Sequence, residues 1–243
     1  MDEREKTQVQ STASQRNADA RANAVRARIL GLAGEALVKR KEFEPALEKF
    51  RERLAIHQAA EDFDGAAGTH MQMGHVFRLM DSSPRAAEQY RIALALGRQH
   101  DLKHRISESF LNLAMMFYFQ KETEQSQEYF QNAISEIRNA GPSPLLGRAL
   151  MHFGNLYRKE GTNKKAEQCF SEAVKVFKAL GDEYNLGLAL ANRALLCLAQ
   201  NEEDQGKAMM REAFSRLFFA GAPSEIHLFK ATLEAVYKVR DIS

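Results

Sequence analysis

The segment HDLKH places His100 and His104 four residues apart. On a helix, that spacing puts two imidazoles on one face, where they suit a metal ion. A metal site needs more ligands, and no third one stands nearby. The pair also falls in a polar stretch between two apolar-periodic segments, so it is read as a turn. Cys169 and Cys197 are the only cysteines. They have no metal spacing and cannot build a disulfide framework, so they are read as packing thiols in a reducing, cytoplasmic setting. The chain has no glycine-rich phosphate loop and no nucleophile elbow. The expectation is a protein that is not an enzyme, with no catalytic residue, no metal site and no cofactor.

A second set has more order. Gln72, Asn112, His152 and Asn192 recur every 40 residues. A carboxamide offers both a donor and an acceptor, as a peptide unit does. Each such bond contributes about 0.5–1.5 kcal/mol net, so a row of them holds an extended chain without reading its sequence. The set forms a row only if the elements carrying it are stacked in register.

The sequence supplies that register. Ala46 and Phe50 recur as Ala86 and Tyr90, Ser126 and Phe130, Ala166 and Phe170, and Gly206 and Met210. A further column reads Arg53, Ala93, Ala133, Ala173 and Ala213. Upstream, small residues recur at Gly34, Gly74, Ala114, Gly154 and Ala194. Large ones flank them at Leu30, His70, Phe110, Leu150 and Leu190, and at Leu37, Phe77, Phe117, Tyr157 and Cys197. Turn-tolerant residues separate the halves at Lys41, Asp81, Lys121, Gly161 and Asn201, and AEDFDG, QHDLKH, AGPSP, LGDEY and AGAPS end each copy. The pattern is a helix–turn–helix repeated five times. The small residue of the first helix lets the second approach closely. One pair cannot bury its apolar face alone, so pairs must stack.

Large, Gly/Ala, Tyr-like, then Ala, Phe-like, Ala resembles the tetratricopeptide (TPR) pattern, and LMHFGNLYRKEGTNKKAEQCFSEAV at residues 150–174 matches it nearly throughout. The usual repeat has about 34 residues; the 40-residue period resembles the long-helix subclass of kinesin light chains and spindle-orienting adaptors. The resemblance implies an all-α fold, a right-handed α-solenoid of five helix–turn–helix TPR repeats near 27–66, 67–106, 107–146, 147–186 and 187–221. Residues 222–243 read as a C-terminal capping helix and tail, with Leu233 and Tyr237 in the packing columns. Residues 17–26 extend the first helix, and the polar residues 1–16 are expected to be disordered. His70, Ser126, Arg193 and Gly206 depart from the pattern, which marks the second and fifth repeats as locally weaker.

The resemblance also places the first helix of each repeat on a concave groove, with Gln72, Asn112, His152 and Asn192 along it. A neighbouring column adds His75, Met115 and Asn155. Arg148, Arg158 and Tyr118 stand one turn away, with Arg78 and Lys159. The expected function is a non-catalytic protein-binding module that holds a neutral-to-acidic peptide segment, an adaptor or scaffold role. Gly31, Met71, Leu111, Met151 and Ala191 fill the column where chaperone-binding members carry a lysine, so a chaperone C-terminus is not the expected ligand. Met71, Leu111, Met115 and Tyr118 are expected to give the groove an apolar strip.

The alternative is a self-assembling or autoinhibited scaffold whose groove is filled by residues 1–16 or by a neighbouring copy, and a homo-oligomer fits it. With 34 basic and 32 acidic residues the net charge is +2, which makes no case for nucleic acid. The longest charge-free apolar run, FLNLAMMFYF at 110–119, falls far short of the roughly 20 residues that span a bilayer, so no membrane insertion is expected.

Overall fold

The structure, a computed structural model, describes residues 3–138 and 141–240, with side chains in 18–138 and 141–234. The chain is all-α, and the described residues form eleven helices in sequential antiparallel pairs of the TPR-like kind. They are α1 (Glu3–Lys39) with α2 (Phe43–Ala59), α3 (Phe63–Leu79) with α4 (Ser83–Gln99), and α5 (Lys103–Gln120) followed by α6 (Thr123–Arg138). Next come α7 (Pro144–Lys159) with α8 (Asn163–Leu180), α9 (Glu183–Ala199) with α10 (Glu203–Phe219), and finally α11 (Pro223–Arg240). The helix α1 begins inside the segment expected to be disordered. The side chains of residues 1–17 and of Tyr237 lie outside the described ones, and so do the expectations placed on them. No described helix is long and apolar enough to cross a membrane.

The chain divides into two compact halves, Met1–Met116 and Phe117–Ser243. Within each, the expected columns are the core. Phe50, Tyr90, Phe130, Phe170 and Met210 are buried, as are Ala46, Ala86, Ser126, Ala166 and Gly206. The reason for the small column is direct. A Cβ on Gly34 would lie 2.6 Å from the Phe50 ring, and one on Gly74 2.6 Å from Tyr90. The aromatic ring of the second helix sits against the bare backbone of the first, and the tight fit removes apolar area from water.

The turns repeat as strictly as the packing. Lys41, Asp81, Lys121, Gly161 and Asn201 all have positive φ, between 56° and 74°. So does a second series, Glu61, Asp101, Gly141, Gly181 and Gly221. One left-handed residue ends each helix and the chain reverses, as in the usual αL helix stop. Side chains cap the starts of α3, α7 and α9, where Asp62 accepts from the Gly65 amide at 2.9 Å, Ser143 from Leu146 at 3.2 Å and Asp182 from Asn185 at 3.0 Å; the starts of α2, α4, α8 and α10 have no such cap.

The departures from the pattern come with partners. Buried His70 sits 2.8 Å from Gln89 Oε1, and Arg193 donates to Glu167 at 2.7 Å. Gly206 is required, because a Cβ there would lie 2.6 Å from Leu198 Cγ.

Candidate functional site

In the first half, Gln72 and Asn112 lie on α3 and α5, with His75 and Met115 one turn along. Gln72 is engaged at both ends. Its Nε2 donates to Glu35 Oε1 at 2.8 Å and its Oε1 accepts from Arg53 Nη1 at 2.5 Å. Asn112 donates to Met71 Sδ at 3.7 Å, a weak bond to a soft acceptor. His75 is exposed and accepts from Arg78 at 3.1 Å. The protein around it displaces part of its hydration although the side chain reaches solvent, and this first, with the Arg78 cation second, holds its imidazole below the ordinary histidine range. Met115 is half-buried.

In the second half, α7 carries Arg148, His152, Asn155 and Arg158 at steps of four and three, a single helical face. The helix contains no acidic residue. His152 is half-buried; burial, with Arg148 adding repulsion, lowers its imidazole to about 4. It is therefore neutral at pH 7 and both gives and accepts hydrogen bonds. Arg158 donates to Asn155 Oδ1 at 3.0 Å, and burial lowers its own proton affinity, opposed by Tyr118. Tyr118, half-buried at the end of α5, carries the Lys159 ammonium over its ring at 4.6 Å. Asn192 on α9 turns back on its own helix and donates to the Leu188 carbonyl at 2.9 Å.

The expected apolar strip takes another place. Met71 and Leu111 are only 9% and 8% exposed, and Met151 and Ala191 are buried too. They are wall, not surface, because helices 40 residues apart touch along this column: Met71 receives both Asn112 and Ser109 of α5.

Arg53 is the functional candidate that motif reading passes over. Its signal is plain in the alignment of copies, the one charged residue in a column of alanines. It joins a chain of contacts that runs from Glu35 through Gln72 and Arg53 to His57 and Asp62. Arg53 Nε donates to His57 Nε2 at 3.2 Å, so the ring proton sits on Nδ1 and is given to Asp62 at 2.8 Å. A cavity of about 950 Å³ opens beside this chain, lined by α1, α2 and Gln72.

His100 and His104 serve packing and a polar contact. His100 stacks on Phe63, centroids 3.6 Å apart, and His104 Nε2 lies 2.8 Å from Asp64 Oδ1. Among the described residues no group of three or more His, Cys, Asp or Glu is placed to hold a metal. Burial raises both thiols, Cys169 and Cys197, to about 11, which makes them poor nucleophiles.

A family model described as SNAP, soluble NSF attachment protein, matches residues 55–217. No curated protein matches the chain significantly. Among solved structures, BtubC (BKLC) from P. vanneervenii is similar at 20% identity, over 87% of this chain and 90% of that one, with a TM-score of 0.71. Aspartyl phosphate phosphatase F from Bacillus subtilis is similar at 16% identity, over 93% and 62%, with a TM-score of 0.76. A Rap protein complexed with Competence and Sporulation Factor is similar at 14% identity, over 89% and 66%, with a TM-score of 0.67. The chain thus spans less than two thirds of the latter two. At these identities the likeness is one of fold.

Proposed function

The chain belongs to the soluble NSF attachment protein (SNAP) family, and we propose that it is a non-catalytic protein-binding module, an adaptor or scaffold that holds a segment of a partner protein. The segment lies on the first helices of the 40-residue repeats in the second half of the chain, where α7 stands. One observation carries the reading: the α7 face bears Arg148, neutral His152, Asn155 and Arg158, and α7 has no acid. Cations there favour a neutral-to-acidic segment, and an amide beside them suits its backbone. The amide of Asn155 gives its oxygen to Arg158 and keeps donors for another acceptor. The Rap relative, solved with Competence and Sporulation Factor, shares the architecture that this reading uses. Two unpaired thiols suit a reducing compartment such as the cytoplasm.

The test is binding of the full chain to an array of terminally blocked random decapeptides. Asn155→Ala with Arg158→Ala should weaken the best binders by about 1–3 kcal/mol with helicity retained. Unchanged affinity removes the α7 face from the function.

A second reading, self-association, has its own support. Val25, Ile29 and Leu32 are 58%, 59% and 59% exposed and line one stripe of α1. Here Ile29→Lys with Leu32→Lys should convert an oligomer to a monomer in sedimentation. A wild-type chain that is already monomeric ends this reading.

A further inference from the structure

The first helix pair inverts the packing of the later ones. Where Met71, Leu111, Met151 and Ala191 stand, it has Gly31. Where Ala93, Ala133, Ala173 and Ala213 stand, it has Arg53. The two exchanges belong together. A Cβ on Gly31 would lie 2.9 Å from Arg53 Nη1, so the guanidinium lies over bare backbone. The cavity of about 950 Å³ opens beside this pair, and its lining includes Gly31, Leu32, Glu35, Arg53, Ile56 and Gln72.

Arg53 is half-buried there, yet its bonds go to neutral acceptors. It donates to Gln72 Oε1 and to His57 Nε2, which uses two of the five N–H donors of a guanidinium. Among the described residues no carboxylate lies within the 4.0 Å of an ion pair. Glu35 and Asp62 act on it only from a distance, and burial is the largest influence on it, lowering its proton affinity. Two other half-buried arginines, Arg105 and Arg193, hold Asp64 and Glu167 at 2.7 Å, whereas Arg158, like Arg53, bonds a neutral acceptor, Asn155. Arg53 is a partly desolvated cation, with donors to spare, facing an open cavity.

We propose that this cavity receives the carboxylate of one Asp or Glu side chain of the bound partner segment, with Arg53 as its receptor. A planar guanidinium pairs with a carboxylate through two parallel bonds, and those are stronger than neutral ones. Asp19, Glu35, Glu52 and Asp62 line the cavity beside Arg26 and Arg28, so the place that favours an acid is the Arg53 guanidinium itself, and the acids around it disfavour a second one. Leu32 and Ile56 line the same space and suit an aliphatic neighbour of that acid. This proposal rests on the reading that the chain binds a partner segment.

The probe is the strongest binder from the blocked-decapeptide array, resynthesised with each Asp or Glu in turn replaced by Asn or Gln. The full chain should lose roughly tenfold or more in affinity at one acid, the difference between a charged and a neutral pairing. The double variant Gly31→Met/Arg53→Ala restores the residue types of the later pairs and so keeps the fold. It should bind both forms of the peptide equally, and Arg53→Gln should do the same. If the wild-type chain binds acid and amide forms alike, the carboxylate site is wrong and the α7 reading stands. If the double variant keeps the acid preference, Arg53 is not the receptor. If no decapeptide binds at all, both readings fall.

Discussion

A Cβ atom on Gly154 would lie 2.7 Å from the Cε1 of Phe170, the ring that closes the pair of α7 and α8. Helix propensity alone favours alanine here by about 1 kcal/mol. The aromatic contact overrules it. Gly154→Ala should therefore destabilise the chain by about 1–3 kcal/mol through overpacking, measured by urea unfolding. Ala194 shares the small column and stands with Met210, a pliable side chain, while Ala114 stands with Phe130, so the room for a Cβ depends on how each partner sits and not on residue type alone. Adding Phe170→Met to Gly154→Ala should recover part of the loss. An additive pair of losses would show that the ring does not set the size limit.

His152 predicts a pH dependence. Its folded-state pKa, about 4, lies below the ordinary 6.5. The unfolded chain binds the proton first, so stability is full above about pH 6.5 and falls as pH drops toward 4. The total loss is on the order of 3 kcal/mol. Denaturant midpoints at pH 7.5, 6 and 5 should decline for the wild-type chain and flatten for His152→Gln. The same decline in both would assign it elsewhere.

Asp64 moves in the same direction on acidification but weakly. Hydrogen bonds from Arg105 hold its carboxyl below the ordinary range, so its contribution is present above the unfolded value and lost as pH falls through the folded one. The Asp64 side chain is 44% exposed, and solvent screens the pair, which leaves less than about 1 kcal/mol. Asp64→Asn should change the urea midpoint at pH 7 slightly, and raised salt should shrink the difference.

The turn residues offer stabilising changes. Lys41 and Lys121 hold φ of 64° and 63°, a region that strains any side chain with a Cβ. Lys41→Gly and Lys121→Gly should each raise stability by about 0.5–1 kcal/mol, the relief of strain less the entropy that glycine loses. Gly161, already at φ 74° in the same column, should lose stability on Gly161→Lys by a similar amount.

Both thiols should resist alkylation. At about 11, Cys169 and Cys197 carry roughly a hundredfold less thiolate at pH 8 than a free cysteine. Intact mass after iodoacetamide should stay unmodified on the folded chain and gain two adducts in denaturant. Rapid labelling of either thiol in the native chain would show that its helix opens locally.

The fold was legible because packing leaves a periodic trace. Every position that contacts the paired helix repeats at 40 residues, and a mismatch such as Ser126 or Gly206 is visible as one. The site was legible only in part. The columns place Gln72 and Asn112 on the first helices of their repeats, facing a groove; that both reach neighbouring helices instead is shown by the structure alone. Nor do the columns show that Glu35 and Arg53 occupy both ends of Gln72, or that Asn192 bonds its own helix at Leu188. Those contacts depend on long side chains reaching across helices, and several rotamers fit any one spacing. Arg53 was visible as an exception from the start. Its meaning needed Gly31, 22 positions earlier, and the room between them.

The left-handed residues at 41, 61, 81 and onward fall 20 positions apart along the chain, at every helix end from Lys41 to Gly221. All hairpins are thus interchangeable at their seams. Duplicating or excising any 40-residue block joins like to like, with no new linker to invent. A chain built this way can lengthen or shorten by whole blocks, and the irregular hairpin, the one bearing Gly31 and Arg53, is altered only when its own block is copied or cut.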